Sequence, residues 1–162
     1  VASPATGQTA LPYLFIQTST QGTWTAVRGQ PAAFMLTLSN PARQTIVIRD
    51  EPQNAAGTIS TALFFDSIRL DTQNPLRAVI SAQTATGEDV LIVNLLRATY
   101  DPTIGELTYI ATRLSDYTDQ HGLTPLKQEQ ANFTLPPSFG ATTVFITNAF
   151  CRDTGENACS LG

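Results

Sequence analysis

The chain contains one histidine, His121, and one lysine, Lys127, and each scarcity excludes a class of function. A single imidazole leaves no way to build a site that needs two, which removes the common zinc hydrolase centres and histidine-rich copper sites. Lysine and glutamate usually fill the exteriors of long helices, and with only 14% charged residues such helices have little to cover them. The remaining eight cations are arginines, and those from Arg28 to Arg77 are dispersed among acids. The net charge of −4 and the lack of a basic stripe argue against a nucleic-acid partner, whose phosphates demand one. No apolar run approaches the roughly 20 residues a membrane-spanning helix requires. No basic segment precedes apolar residues at Val1, so the expectation is an exported, secreted or cell-surface chain whose signal has been removed.

What is abundant is Thr, Ser, Gln and Asn, which suit pleated surfaces and turns. The 162 residues fit one domain that buries roughly 70% of its unfolded surface. Residues 1–10, small and polar with Pro4 and Gly7, read as an extended arm. Residues 11–162 read as a single β domain ending in a cysteine loop.

Short runs of alternating or branched apolar residues recur between turn signals. They are Leu11–Thr18, Gly22–Val27, Ala33–Leu38, Thr45–Arg49, Arg77–Thr84, Gln130–Leu135 and Ala141–Asn148, with Trp24 as a core anchor, burial being the commoner fate of a lone Trp, or else an exposed aromatic. Gly57 is read as part of the loop after Arg49, and Ser138 to Gly140 as a turn. The strongest element is Asp89 to Leu114, a β-hairpin around Asp101, Pro102 and Gly105. Its first arm is apolar on both faces, Val90, Ile92 and Leu96 against Leu91, Val93 and Leu95, which predicts a strand covered on both sides. Its second arm alternates, as a strand with one wetter face does. Between Ile59 and Ile68 a short helix is expected, because Ser60 can cap it and Phe64 and Ile68 share a face at i, i+4; a strand is the alternative. The whole predicts an all-β antiparallel sandwich, Ig-like or jelly-roll-like, with at most one short helix near residues 59–68.

Cys151 and Cys159 bracket the polar segment RDTGENA, and a local disulfide is the economical reading; two free thiols are the other. The closed loop would contribute about 2–3 kcal/mol in the chain-entropy account, and an oxidising compartment follows from it. Asn132-Phe133-Thr134 is a glycosylation acceptor in a host that glycosylates.

The segments DEPQNAAGTISTALFF (50–65), NPLRAVI (74–80), the hairpin and TTVFITN (142–148) together resemble an uncharacterised family of small secreted β-rich proteins of bacteria and algae. That family has no known activity, so the resemblance implies a β fold and export and nothing about chemistry. The cysteine loop lies outside the resembling part.

Catalytic constellations are thin. A serine triad would have to pass through His121 with Ser115, Asp116 or Asp119, all in one polar loop and without a Gly-x-Ser-x-Gly motif. Carboxylates pair at Asp50 and Glu51, Glu88 and Asp89, Asp101 and Glu106, and Asp116 and Asp119, each at a turn, where acids usually bond local amides. Oxygen clusters on β-sandwich loops also hold Ca²⁺, and Asp101, Glu106, Asp116 and Asp119 are the candidates; no other cofactor is expected. Thr-rich strands with little lysine are poor at blocking edge-to-edge addition. The leading expectation is an exported, non-enzymatic structural or interaction protein, a subunit of a filament or layer that self-associates or joins other extracellular proteins through β-strand contacts. The alternative is a module binding Ca²⁺ or carbohydrate, and a hydrolase centred on His121 comes third.

Overall fold

The computed structural model describes residues 13–49, 55–70, 75–113, 135–147 and 150–151. The described elements are β1 (Tyr13–Ser19), β2 (Gln21–Val27), β3 (Gln30–Ser39), β4 (Gln44–Arg49), β5 (Ala55–Ser60), α1 (Thr61–Ser67), β6 (Ile68–Arg69), β7 (Leu76–Thr84), β8 (Gly87–Asp101), β9 (Glu106–Arg113), β10 (Ser138–Phe139), β11 (Thr142–Thr147) and β12 (Phe150–Cys151). Alternation decides which face of each strand turns inward. Phe15 and Gln17 of β1, Leu36 and Leu38 of β3, Leu107, Tyr109 and Ala111 of β9, and Val144 and Ile146 of β11 are buried. The residues between them are half-buried or exposed.

The all-β, antiparallel class is borne out, but the two sheets of a sandwich are not separate. Ten strands form one hydrogen-bonded ladder in the order β10-β2-β3-β9-β8-β7-β11-β1-β4-β5. Every pairing in it is antiparallel. The reason lies in β8, which runs for 15 residues and serves two neighbours. It pairs with β7 from Gly87 to Leu95 and with β9 from Val93 to Asp101, with a register shift between Leu95 and Arg97. A bulge at that point bends and twists the strand without breaking the ladder. The ladder then curls. β9 and β1 are four places apart, which in a flat sheet would separate them by about 19 Å at 4.8 Å per strand. Yet Tyr109 of β9 donates its hydroxyl proton to Gln17 of β1, so the two wings face each other across the core.

The expected helix is present as α1, within the 59–68 window. Ser60 is its N-cap and accepts from the Leu63 amide at 3.0 Å. Phe64 is fully buried and meets Phe15 of β1 edge-on, with 4.9 Å between ring centroids. Phe65 meets Tyr109 of β9 at 5.9 Å. The helix therefore fills the space between the two wings, and its aromatic pair packs against one residue of each. Such aromatic pairs add about 0.5–1.5 kcal/mol each beyond the area they bury.

The outer face explains the threonine content. Register places Thr23, Thr37, Thr108 and Thr99 side by side on β2, β3, β9 and β8. Such cross-strand pairs of branched, hydroxylated residues stabilise a half-wet face without charge.

Trp24 is buried as expected, at 4% exposure, and stacks on Phe34 at 4.7 Å. Several other expectations change. The doubly covered arm holds at Ile92, but Val90 is 42% exposed and Leu96 half-buried. Gly57, read as loop, lies in β5, because each residue from Ala55 to Ser60 finds a partner on β4. Ser138 and Phe139, read as a turn, form β10 opposite Thr23 and Gly22. Of the strand expected over 130–135, only Leu135 is described, and it is buried outside any strand. The arm over 1–10 lies outside the described residues.

Candidate functional site

Of the candidate calcium ligands, Asp101 and Glu106 are described, and they face each other as the last register pair of the β8–β9 hairpin. Asp101 Oδ1 accepts from the amides of Thr103, at 2.9 Å, and Ile104, at 3.4 Å. This is the local bonding that Asp performs in a turn. Gly105 closes the turn at φ +68°, a conformation that favours glycine. Two further bonds, from Asn40 and Arg43, fix the turn to the body. Asn40, itself at φ 51°, donates its amide to the Gly105 carbonyl at 2.8 Å and its Nδ2 to Thr20 Oγ1 at 3.3 Å. Arg43 donates to the Pro102 carbonyl at 3.4 Å. At the tip, Ile104 is 66% exposed, the most exposed large apolar side chain among the described residues. Among those residues no three His, Cys, Asp or Glu side chains gather as metal ligands.

The two ends of the ladder differ. One end is β10, two residues long and preceded by Pro136 and Pro137, and it covers β2 at Gly22 and Thr23, with Pro137 accepting from the Trp24 amide. The other end is β5, with the sequence AAGTIS, free of charge and of proline. Among the described residues nothing pairs with its outer side. Alternate N–H and C=O groups of such a strand point outward without partners, ready to bond another chain.

Beside that edge the inner face opens into a groove of about 320 Å³, lined by Tyr13, Val47, Arg49, Ala55, Gly57 and Ile59. Its origin is local sequence. Register sets Gly57 opposite Val47 and Ala55 opposite Arg49, so the edge strand brings small side chains where the neighbouring strand brings large ones. A methyl group added at Gly57 would meet nothing within 4 Å. The Nε of Arg49 is buried and has no hydrogen-bond partner among the described residues. The groove thus combines apolar walls with a guanidinium cation at its lining.

Behind the groove a buried hydroxyl chain ties the wings together. Thr61 Oγ1 donates to the Ala42 carbonyl at 2.8 Å. Its single proton is then used, so in the 3.0 Å contact with Thr45 Oγ1 the Thr45 hydroxyl donates. Thr45 accepts from Gln17 Nε2 at 3.4 Å, and Gln17 Oε1 accepts from Tyr109. Every link has a donor and an acceptor. Burial pushes the Tyr109 phenol well above its ordinary value. Such a phenol stays neutral and serves as a strut.

Asp116, Asp119, Ser115, His121 and Asn132 lie outside the described residues. So do Cys159 and the side chain of Cys151, whose backbone pairs with Ile68 in the small β6–β12 ladder. The structure brings together Asp101 with Glu106, and it adds features that residue types alone did not announce, the β5 edge and its groove. The one available signal was the alternation in GTIS ahead of the Ser60 cap. No family model, no curated protein and no solved structure matches this chain.

Proposed function

We propose that the protein is an exported, non-enzymatic structural or interaction subunit of an extracellular or cell-surface assembly, and that the β5 end of the ladder, edge and groove together, is its contact surface. The observation that carries this reading is the asymmetry of the two ends. The β10 edge is short and preceded by prolines, whereas β5 offers six residues without lysine, charge or proline. Natural sheets guard such edges when they must stay free. Export rests on the sequence features described above, and the groove supplies a place for side chains of an incoming segment.

The test is the oligomeric state as a function of concentration, read by analytical ultracentrifugation. Thr58 is exposed and lies opposite the exposed Ile46, so lysine there guards the edge without entering the core. Wild type associates as concentration rises, Thr58→Lys does not, and Thr25→Lys on β2 behaves as wild type. A wild type that stays monomeric throughout, or a Thr58→Lys variant that associates normally, refutes the proposal.

A further inference from the structure

Two features sit at opposite ends of the same strand. The β8–β9 turn lies at the C-terminal end of β1, because Asn40 bonds both Gly105 and Thr20, and Ala42 donates its amide to the Thr18 carbonyl at 2.8 Å. The groove lies at the N-terminal end of β1, where Tyr13 is opposite Arg49. The seven residues of β1 put them about 20 Å apart. One end presents a projecting isoleucine on a turn held by bonds to Asp101, Asn40 and Arg43. The other presents an apolar recess of about 320 Å³.

Their charges are also matched. Asp101 and Glu106 flank Ile104 at the base of the turn. Arg49 lines the recess with its cationic side chain. A carboxylate brought there would face the guanidinium cation, and a charge-assisted contact in a desolvated site is stronger than a neutral one. The turn is already ordered by its bonds, so docking it costs little conformational entropy.

We infer that the occupant of the groove is the β8–β9 turn of a second copy of this chain, with Ile104 seated between Tyr13, Val47 and Ile59 and the acids of the turn facing Arg49. The inference rests on the reading that the β5 end is a contact surface, and it names the partner and the direction. Because knob and recess lie on different parts of the molecule, the contact is heterologous. A joined pair keeps one free recess on one copy and one free knob on the other, so association proceeds head to tail and leads to an open filament or a ring.

The test is complementation between two variants. Ile104→Asp removes the knob and leaves the recess. Gly57→Phe fills the recess and leaves the knob, at a position with open space for the new side chain. Thermal melts confirm that both fold. Each variant alone is monomeric at concentrations where wild type forms species larger than dimers, with association weakened by about tenfold or more, the scale of losing a central anchor. An equimolar mixture forms a heterodimer and nothing larger, since one working knob meets one working recess. Formation of larger species by Ile104→Asp alone, together with loss of association in Thr58→Lys, overturns the knob and leaves the edge reading standing. A mixture that yields no heterodimer overturns the head-to-tail geometry, and a monomeric wild type overturns both readings.

Discussion

Replacing Tyr109 by phenylalanine isolates the link between the two wings of the sheet. The ring remains, with its contact to Phe65 at 5.9 Å, and only the hydroxyl that donates to Gln17 is lost. Gln17 is 3% exposed, so its Oε1 would be buried without a donor. Such a group costs about 1–3 kcal/mol. For a chain of this length about 2 kcal/mol lowers the melting temperature by roughly 4–8 °C. Gln17→Leu leaves the phenol unpaired instead and destabilises by a similar amount. In the double variant neither orphan exists, and Thr45 still donates to Thr61. The double variant is therefore more stable than the sum of the singles by about 1–2 kcal/mol. Urea unfolding measures all three. A Tyr109→Phe variant within about 0.5 kcal/mol of wild type, or strictly additive effects, would refute the account of the curled ladder as joined through this chain.

The same residue gives a pH dependence. Burial raises the folded phenol above its unfolded value, which is about 10. Below pH 10 both states hold the proton. Above it the unfolded state releases the proton and the folded state keeps it, so stability falls as pH rises, by about 1.4 kcal/mol per pH unit, until the folded phenol itself ionises. Subtracting Tyr109→Phe from wild type cancels the other tyrosines, and the difference shrinks with that slope. Ser60→Ala removes the cap that accepts from Leu63 and costs about 1 kcal/mol, read by thermal unfolding. Gly22→Ala drives a methyl group into the Phe139 ring and costs about 1–3 kcal/mol, loosening β10 from β2 as read by limited proteolysis between them.

How much of this was legible depends on how local each determinant is. The β1 to β4 strands, the hairpin and the capped helix carry their own signals: alternation, turn residues and a Ser60 cap three positions before the Leu63 amide. The β5 strand was hidden because Ala55, Ala56 and Gly57 have low strand propensity, and pairing with Gln44–Arg49 decides their state. The single ladder was hidden for a related reason. Whether β8 ends one sheet or joins two depends on one register shift at Leu95, and nothing in LIVNLLRATY announces it. The candidate site was legible in half. Asp101 and Glu106 stood out as paired acids, but the turn they support is defined by Asn40 and Arg43, some sixty residues away in sequence. The groove arises from the small size of Ala55 and Gly57, and that shortfall becomes visible only when Val47 and Arg49 are set opposite.

The central claim, that β5 is a contact edge, is tested most directly by amide hydrogen exchange at residues 55–60 in dilute and concentrated samples. The outward-facing amides of β5 exchange freely when dilute and gain protection as concentration rises, while amides of Thr25 to Val27 on β2 do not change. Exchange at residues 55–60 that is the same at every concentration would contradict the claim.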